Sequence, residues 1–110
     1  MTGKFELYKD KAGEFRFRLK SAAGATLLSS EGYAAKPSAL NGIASVQKNA
    51  MEANRFETKE STSGKPYFVL KSGNGQVIGQ SSMFAGGTEC EQAVAAVQAA
   101  APGAETDDQT

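Results

Sequence analysis

The most constraining feature of this sequence is an internal repeat. When the chain is aligned with itself at an offset of 51 residues, positions 5–50 match positions 56–101 without a gap. Fourteen of these 46 positions are identical, and the clearest segment, 17–24, returns as 68–75. Such a pattern predicts one domain of two similar units within residues 1–110. We assign residues 3–53 to the first repeat and 54–103 to the second.

Each copy is predicted to begin with three strands. Apolar and polar residues alternate with a period of two in the first two strands, which is typical of a sheet with one buried face. In the first copy the apolar members are Phe5, Leu7, Phe15, Phe17 and Leu19. Gly13 and Gly64 suit tight turns because glycine adopts a positive φ without steric cost. The Asn74-Gly75 pair is a strong signal for a two-residue hairpin, followed by a third strand at 77–81, or at 26–30 in the first copy.

The periodicity then changes to that of a helix. Apolar residues recur every three or four positions at Ala39, Ile43, Val46 and Ala50, and again at Cys90, Val94, Val97 and Ala101. This spacing places them on one helical face in each copy. Pro37 suits the first turn of helix one, and Thr88 with Glu91 is typical of a capping box that starts helix two. The Pro102-Gly103 pair ends the second helix.

These elements predict an α+β fold. Two tandem β-β-β-α(-β) repeats share a single antiparallel sheet, and both helices pack on one face, because neither copy alone covers its own apolar surface. Residues 104–110 have two interpretations. Their position after the second helix matches a strand, whereas their acidic composition without large apolar side chains is typical of a frayed tail.

Three segments and their second copies resemble the YegP-like proteins. They are the residues 13–20, 29–33 and 41–46, and the resemblance covers nearly the whole chain. The YegP-like proteins are a bacterial family of unknown function, built from units of roughly fifty residues. The resemblance implies that two β-β-β-α-β units build one sheet and exchange their last strands. It implies no known activity, so no functional residues can be transferred to this chain.

Charge and cysteine content restrict the partners and the compartment. Twelve basic and twelve acidic side chains cancel, so neither a nucleic acid nor an anionic membrane is the default partner. The first 53 residues carry eight basic and five acidic side chains, and the remainder four and seven. A single cysteine, Cys90, precludes an internal disulfide and favours a reducing compartment. Without an apolar leader or a membrane-length apolar run, the sequence predicts a cytoplasmic protein.

Catalytic signatures are sparse. The sequence has no histidine, which excludes Ser-His and Cys-His nucleophiles and removes the commonest metal ligand. Cys90 is expected to be a buried packing residue, with Glu89 and Glu91 raising the pKa of its thiol. These two carboxylates suit the first turn of a helix better than acid–base catalysis. The glycine pairs lack the spacing of a phosphate-binding loop, so we predict no cofactor, no metal and no catalytic site.

One surface is a candidate for binding. It is the sheet face opposite the helices, where alternation places Arg16, Arg18, Lys20, Lys65, Tyr67 and Lys71. Basic side chains with an aromatic among them are typical of proteins that bind single-stranded nucleic acid. A solvent-facing sheet surface is normally polar in any case, and Glu6, Glu14 and Glu57 are expected to dilute its positive charge.

The leading functional hypothesis is therefore a non-enzymatic binding or protein-interaction module. Its partner would be an unknown protein or another copy of the chain. Single-stranded nucleic-acid binding through the basic face is the alternative. A histidine-independent enzyme using Tyr33, Tyr67 or Lys71 is a third reading, which a deep polar pocket at the junction of the repeats would favour.

Overall fold

The computed structural model describes residues 3–110, which form one seven-stranded sheet with two helices packed on one face. The predicted fold class is confirmed. The elements of the first repeat are β1 (Lys4–Lys9), β2 (Phe15–Lys20), β3 (Thr26–Ser29) and α1 (Lys36–Asn49). A one-turn 3-10 helix, Ala53–Arg55, precedes β4 (Phe56–Glu60), β5 (Pro66–Lys71), β6 (Val77–Gln80), α2 (Gly87–Ala100) and β7 (Glu105–Asp108). The spatial order of the strands is β4-β5-β6-β3-β2-β1-β7.

Glycines with positive φ shape the hairpin turns, as predicted. Gly13 and Gly64, at equivalent positions, have φ of 83° and 81°. The two-residue Asn-Gly turn is wrong, because Ser72 N–H donates to the Gln76 carbonyl at 2.8 Å and encloses three residues. Among residues 3–110 only glycines have positive φ, so Asn74 does not take the left-handed conformation that a two-residue type I′ turn requires. Gly75 alone takes it, at 85°.

Both helices bury the faces that the sequence predicts. α1 covers the sheet with Ala39, Ile43 and Val46, and Pro37 lies in its first turn. The capping box at the start of α2 is wrong. The helix begins two residues earlier than predicted, at Gly87, with Gly86 as N-cap and no side-chain cap bond. Thr88 is thereby already inside the first turn, where its hydroxyl cannot serve as the N-cap acceptor.

The core repeats the same aromatic packing in each half. Phe5 contacts Phe17 edge to face, with ring centroids 6.0 Å apart, and the equivalent pair in the second repeat, Phe56 and Phe68, is 5.6 Å apart. Each inner ring also stacks on an aromatic residue that follows the third strand, namely Tyr33 in the first repeat. The inner faces are therefore built on one plan.

The sequence predicts a wholly antiparallel sheet, but the last strand makes the sheet mixed. β7 lies parallel to β1, with Phe5 opposite Thr106. The direction follows from α2, whose end meets the start of β1: Gly3 N–H donates to the Ala100 carbonyl at 3.3 Å. A chain leaving that point can only run alongside β1 in the same direction. Of the two interpretations of residues 104–110, the structure has the strand, and this strand crosses to the first repeat.

The two repeats join along β3 and β6. Only one residue pair, Ser29 with Gln80, is paired between these two strands. Leu28 of the first repeat is fully buried beside Gly79, its equivalent in the second. A Cβ on Gly79 would lie 2.6 Å from the Leu28 side chain. Leu28 thus fills the space at the centre of the sheet, and the equivalent position in the second copy, Gly79, has no side chain that would compete for it.

Candidate binding surfaces

The predicted basic surface of the first repeat is neutralised by a buried carboxylate. Glu6, only 7% exposed, accepts a bond from Arg18 Nε at 2.6 Å and lies 3.4 Å from Lys20 Nζ. The Arg18 hydrogen bond is the main cause that lowers the pKa of Glu6 below its ordinary value, against the opposing effect of burial. Arg18 also lies over the Tyr8 ring, 4.6 Å from its centroid. Arg18 and Lys20 therefore share one compensating anion.

Arg16 is paired with Asp10, which follows β1. Its Nε donates to Asp10 Oδ2 at 2.6 Å, and Asp10 Oδ1 accepts the backbone N–H groups of Ala12 and Glu14. The Arg16 bond and these turn bonds lower the pKa of the Asp10 carboxyl. The expected dilution of charge is thus confirmed for Glu6, and Asp10 adds to it.

The second repeat has a sparser version of this surface. Lys71 Nζ lies 2.5 Å from Glu57 Oε2, and this contact lowers the pKa of Glu57. Tyr67 is half-buried on β5, and Lys65 is exposed in the turn that precedes it. Five of the six predicted residues lie on the outer sheet face, whereas Lys65 lies in the turn before β5. The arginines, Lys20 and Lys71 all contact an acid. The face as a whole is not a continuous basic surface.

A groove of about 480 Å³ opens at the junction of the two repeats. It lies on the face opposite the helices, since Ser29 is paired with Arg18, and directly opposite residues of a sheet share a face. Arg16 and Glu31 supply its charged groups. The rest of its polar lining comes from Thr26, Ser29, Ser30, Gln80, Ser81 and Ser82. We call this feature the junction groove.

Two equivalent serines build the walls of the junction groove. Ser30 Oγ accepts the Phe17 N–H at 2.9 Å and donates to the Glu31 carbonyl at 2.8 Å. Ser81 repeats both bonds in the second copy at the same lengths. Both hydroxyls hold the chain in place where the third strand ends. Their donor and acceptor functions are occupied, which makes them structural groups rather than nucleophiles.

Sequence reasoning did not identify the junction groove, although a signal was available. Ser30 and Ser81 are among the identical pairs of the repeat, yet alternation alone assigns them only to the ends of strands. Identical small polar residues at equivalent strand ends indicate a shared backbone bond. Which strand ends meet was the missing information, because the order β6-β3 is set by the packing of whole repeats.

The residues considered for catalysis do not assemble. Tyr33 lies on the helix side of the sheet, stacked on Phe17, and burial raises the pKa of its hydroxyl. Tyr67 and Lys71 lie on the opposite face, four positions apart on β5 or about 13 Å along the strand. The three side chains therefore lack a common pocket.

Cys90 is the buried packing residue that the sequence predicts. It is 1% exposed, and burial is the main cause that raises the pKa of its thiol. Glu91 also raises this pKa, as predicted, whereas Thr58 lowers it through a hydrogen bond. Within residues 3–110 there is no cluster of three or more Cys, Asp or Glu side chains that could hold a metal ion. No helix in the same range is long and apolar enough to cross a membrane.

The chain matches known proteins along its whole length. The model of a domain of unknown function, DUF1508, matches twice, at residues 10–57 and 61–108. Similar curated proteins include a UPF0339 protein from the ptx operon 5′ region of Stutzerimonas stutzeri, 48% identical over 94% of each chain. UPF0339 protein YegP of Escherichia coli is 46% identical over 90% of each chain.

Two solved structures share the fold. The solution NMR structure of yegP from E. coli, described as a protein of unknown function, has a TM-score of 0.95 and 44% identity. It covers 100% of this chain and 95% of its own. UPF0339 protein SO3888 from Shewanella oneidensis has a TM-score of 0.92 and 35% identity over 98% and 92% of the two chains. The chain therefore belongs to the DUF1508 or UPF0339 YegP family of tandem-repeat bacterial proteins, whose function is unknown.

Proposed function

We propose that this protein is a non-enzymatic binding module and that its ligand site is the junction groove. The observation that carries the proposal is the groove itself, a concave site at the point where two copies of one unit meet, lined by polar groups together with the apolar residues Leu28 and Val77. Concave sites with a few convergent polar groups are where proteins most often bind ligands. The duplication creates there a surface that neither repeat has alone.

The lining of the junction groove defines the chemistry of the ligand. Arg16 and Glu31 offer one positive and one negative group, and Ser29 and Gln80 offer a hydroxyl and an amide. A strongly charged ligand finds no matching excess of charge here. A neutral, hydrogen-bonding segment of a protein partner fits this set of donors and acceptors, because each polar group can then be satisfied. We place this interaction in the cytoplasm, on the grounds of the single, buried Cys90.

An NMR titration tests the junction groove as a binding site. Two probes are added to ¹⁵N-labelled protein: a library of small polar fragments and a pool of unstructured peptides. We expect shifts that cluster at the groove residues and disappear in Ser29→Trp, whose indole fills the groove. Ser38→Trp is the matched control, because Ser38 is exposed on α1 at the other side of the sheet. Shifts that persist in Ser29→Trp, or an absence of shifts with both probes, would overturn the proposal.

Single-stranded nucleic-acid binding is the weaker alternative. The ion pairs of Arg16, Arg18, Lys20 and Lys71 reduce the free positive charge that such binding needs. We expect no mobility shift with single-stranded DNA or RNA at low salt. A shift that is lost when Arg16, Arg18 and Lys20 are changed to alanine would favour nucleic acid over the binding module proposed above.

A further inference from the structure

The sheet has two edge strands, β4 at one end and β7 at the other. The charged residues of β7 are all acidic, so pairing of two β7 strands would place like charges opposite one another, and β4 is the edge suited to self-association. Within residues 3–110, β4 pairs only with β5, whereas the opposite end of the sheet is extended beyond β1 by β7. The residues of β4 are exposed except for half-buried Phe56. An exposed edge strand presents unpaired N–H and C=O groups on which another strand can form a ladder.

The repeat shows which backbone groups of β4 point outward. In β1 the Leu7 carbonyl accepts the Gln109 N–H at 2.8 Å, so the backbone groups of Leu7 point away from β2. Thr58 occupies in β4 the register position that Leu7 occupies in β1. Its N–H and C=O therefore point to the open side, and those of the residues two positions away do the same.

We propose that two copies of this chain associate through β4, antiparallel, about a two-fold axis at Thr58. In this arrangement Thr58 faces the second copy's Thr58, and Phe56 faces the second copy's Glu60. These are the positions whose backbone groups point outward, so they form hydrogen-bonded pairs. Glu57 then faces the second copy's Lys59 on both sides of the axis. The closer, non-hydrogen-bonded positions thus hold opposite charges.

Charge selects this register against its neighbours. Because only alternate backbone groups of β4 point outward, the second copy's strand can slide only in steps that change the sum of the paired residue numbers by two. A shift one way places Glu57 against the second copy's Glu57, and a shift the other way places Lys59 against Lys59. Both juxtapose like charges, and both shorten the ladder. Only the centred register pairs all five residues of β4 and places opposite charges together, at Glu57 and the second copy's Lys59.

The association is expected to be weak. A single pair of five-residue strands buries less surface than the roughly 1,200–2,000 Å² of stable complexes. We therefore expect a dimer that forms in about the micromolar to millimolar range of protein concentration. Each copy keeps its junction groove free, because the groove lies at the centre of the sheet and β4 at its edge.

Sedimentation equilibrium of charge variants tests the proposal. In Glu57→Lys two lysines face each other across the axis, and in Lys59→Glu two glutamates do. We expect each variant alone to dimerise at least tenfold more weakly than the parent. An equimolar mixture of the two variants pairs opposite charges at both positions, and the double variant does so in a homodimer. Both are expected to regain the affinity of the parent.

Two outcomes of the sedimentation experiment would contradict the proposal. A parent protein that is monomeric at millimolar concentration overturns the proposal, and so does a mixture that associates no better than its components. Lys11→Glu is the matched control, because it makes the same change of charge in the exposed β1–β2 turn and should leave dimerisation unchanged. None of the ion pairs within residues 3–110 involves Lys59, so Lys59→Glu leaves the monomer intact.

Disulfide trapping tests the axis itself. In a Cys90→Ala background, Thr58→Cys places two thiols at facing positions with Cα atoms about 5.5 Å apart, within the range that a disulfide spans. We expect covalent dimers on mild oxidation. Lys59→Cys in the same background places its thiols diagonally, about 7–8 Å apart, and should not cross-link. Equal trapping at both positions would contradict a two-fold axis at Thr58.

Discussion

The first strands of the two repeats are copies of one another in sequence and differ in what lies beside them. β1 and β4 share the Phe-Glu pair of the repeat, at Phe5 and Phe56, and each is antiparallel to the second strand of its own unit in the same register. β1 is buried on its inner face and covered by β7, whereas β4 is exposed. After α1 the chain must continue into the second unit, but after α2 it is free to add a strand. A duplication in a linear chain therefore covers the first strand of one copy with a further strand and leaves the first strand of the other copy at the edge of the sheet.

The side chains have adapted to this difference. Leu7 and Tyr8 on the covered strand are replaced by Thr58 and Lys59 on the open one. Charged and polar residues on an edge strand limit indiscriminate pairing with other chains.

Removing the equivalent phenylalanines measures how differently β1 and β4 are buried. Phe5 is 0% exposed, so Phe5→Ala is expected to lower the free energy of unfolding by about 3–5 kcal/mol. Phe56 is half-buried, and Phe56→Ala is expected to cost less than half as much. Urea denaturation followed by circular dichroism gives both values. Equal losses would show that β1 and β4 are equally packed.

Truncation after Gly103 removes β7 and makes β1 an edge strand, like β4. It removes the β7 ladder together with the contacts of Asp107 to Lys4 and of Asp108 to Lys36. Because each ladder bond contributes about 0.5–1.5 kcal/mol net, we expect a loss of about 2–3 kcal/mol in the free energy of unfolding.

The full-length Asp107→Asn, Asp108→Asn variant is the control for this truncation. It keeps the β7 ladder and removes only the charges, so it should retain most of the stability. If it were as unstable as the truncated chain, the ion pairs and not the strand would hold the edge.

Neutralising the equivalent glutamates compares the charge networks of β1 and β4. Glu6→Gln leaves Arg18 and Lys20 without their buried anion, and we expect it to cost about 1–3 kcal/mol. Glu57→Gln breaks only an exposed pair with Lys71 and should have a clearly smaller effect. Thermal unfolding at neutral pH ranks the two variants. The reverse order would contradict the central role of Glu6.

Acid should weaken the β7 end of the sheet through Asp108. Its bonds to Lys36 and Thr110 lower the pKa of the carboxyl from 3.8 to about 2. A lowered pKa in the folded protein means that this stabilisation is present above about pH 4 and is lost as the pH falls through about 2. Asp108→Asn should therefore show a shallower loss of stability between pH 4 and 2 than the parent, measured by urea denaturation. Parallel pH profiles would contradict this role.

The sequence predicts the elements of this fold well because local signals agree with the packing. The repeat, the alternation and the helical apolar faces each reappear in the structure, and Phe17 and Phe68 lie under the helices as expected. Whether residues 104–110 form a strand does not follow from the sequence, since the residues of β7 are polar and its pairing depends on where α2 ends. The sequence predicts only that Glu6 dilutes the positive charge of the sheet face, because alternation assigns Glu6 to a solvent-facing position. It does not predict that Glu6 is buried between Arg18 and Lys20. The junction groove depends on the meeting of β3 and β6, which no local pattern encodes.

The parallel placement of β7 beside β1 has a mechanical consequence. These strands are the first and the last of the described chain, and they lie side by side with the same direction. Tension applied between residue 3 and residue 110 therefore pulls the two strands past one another and loads their evenly spaced hydrogen bonds together. Tension applied across the β4–β5 turn would instead open that hairpin one bond at a time. We expect force spectroscopy to find the higher rupture force between the chain ends. The strand with no apolar residue, β7, would then resist stretching most.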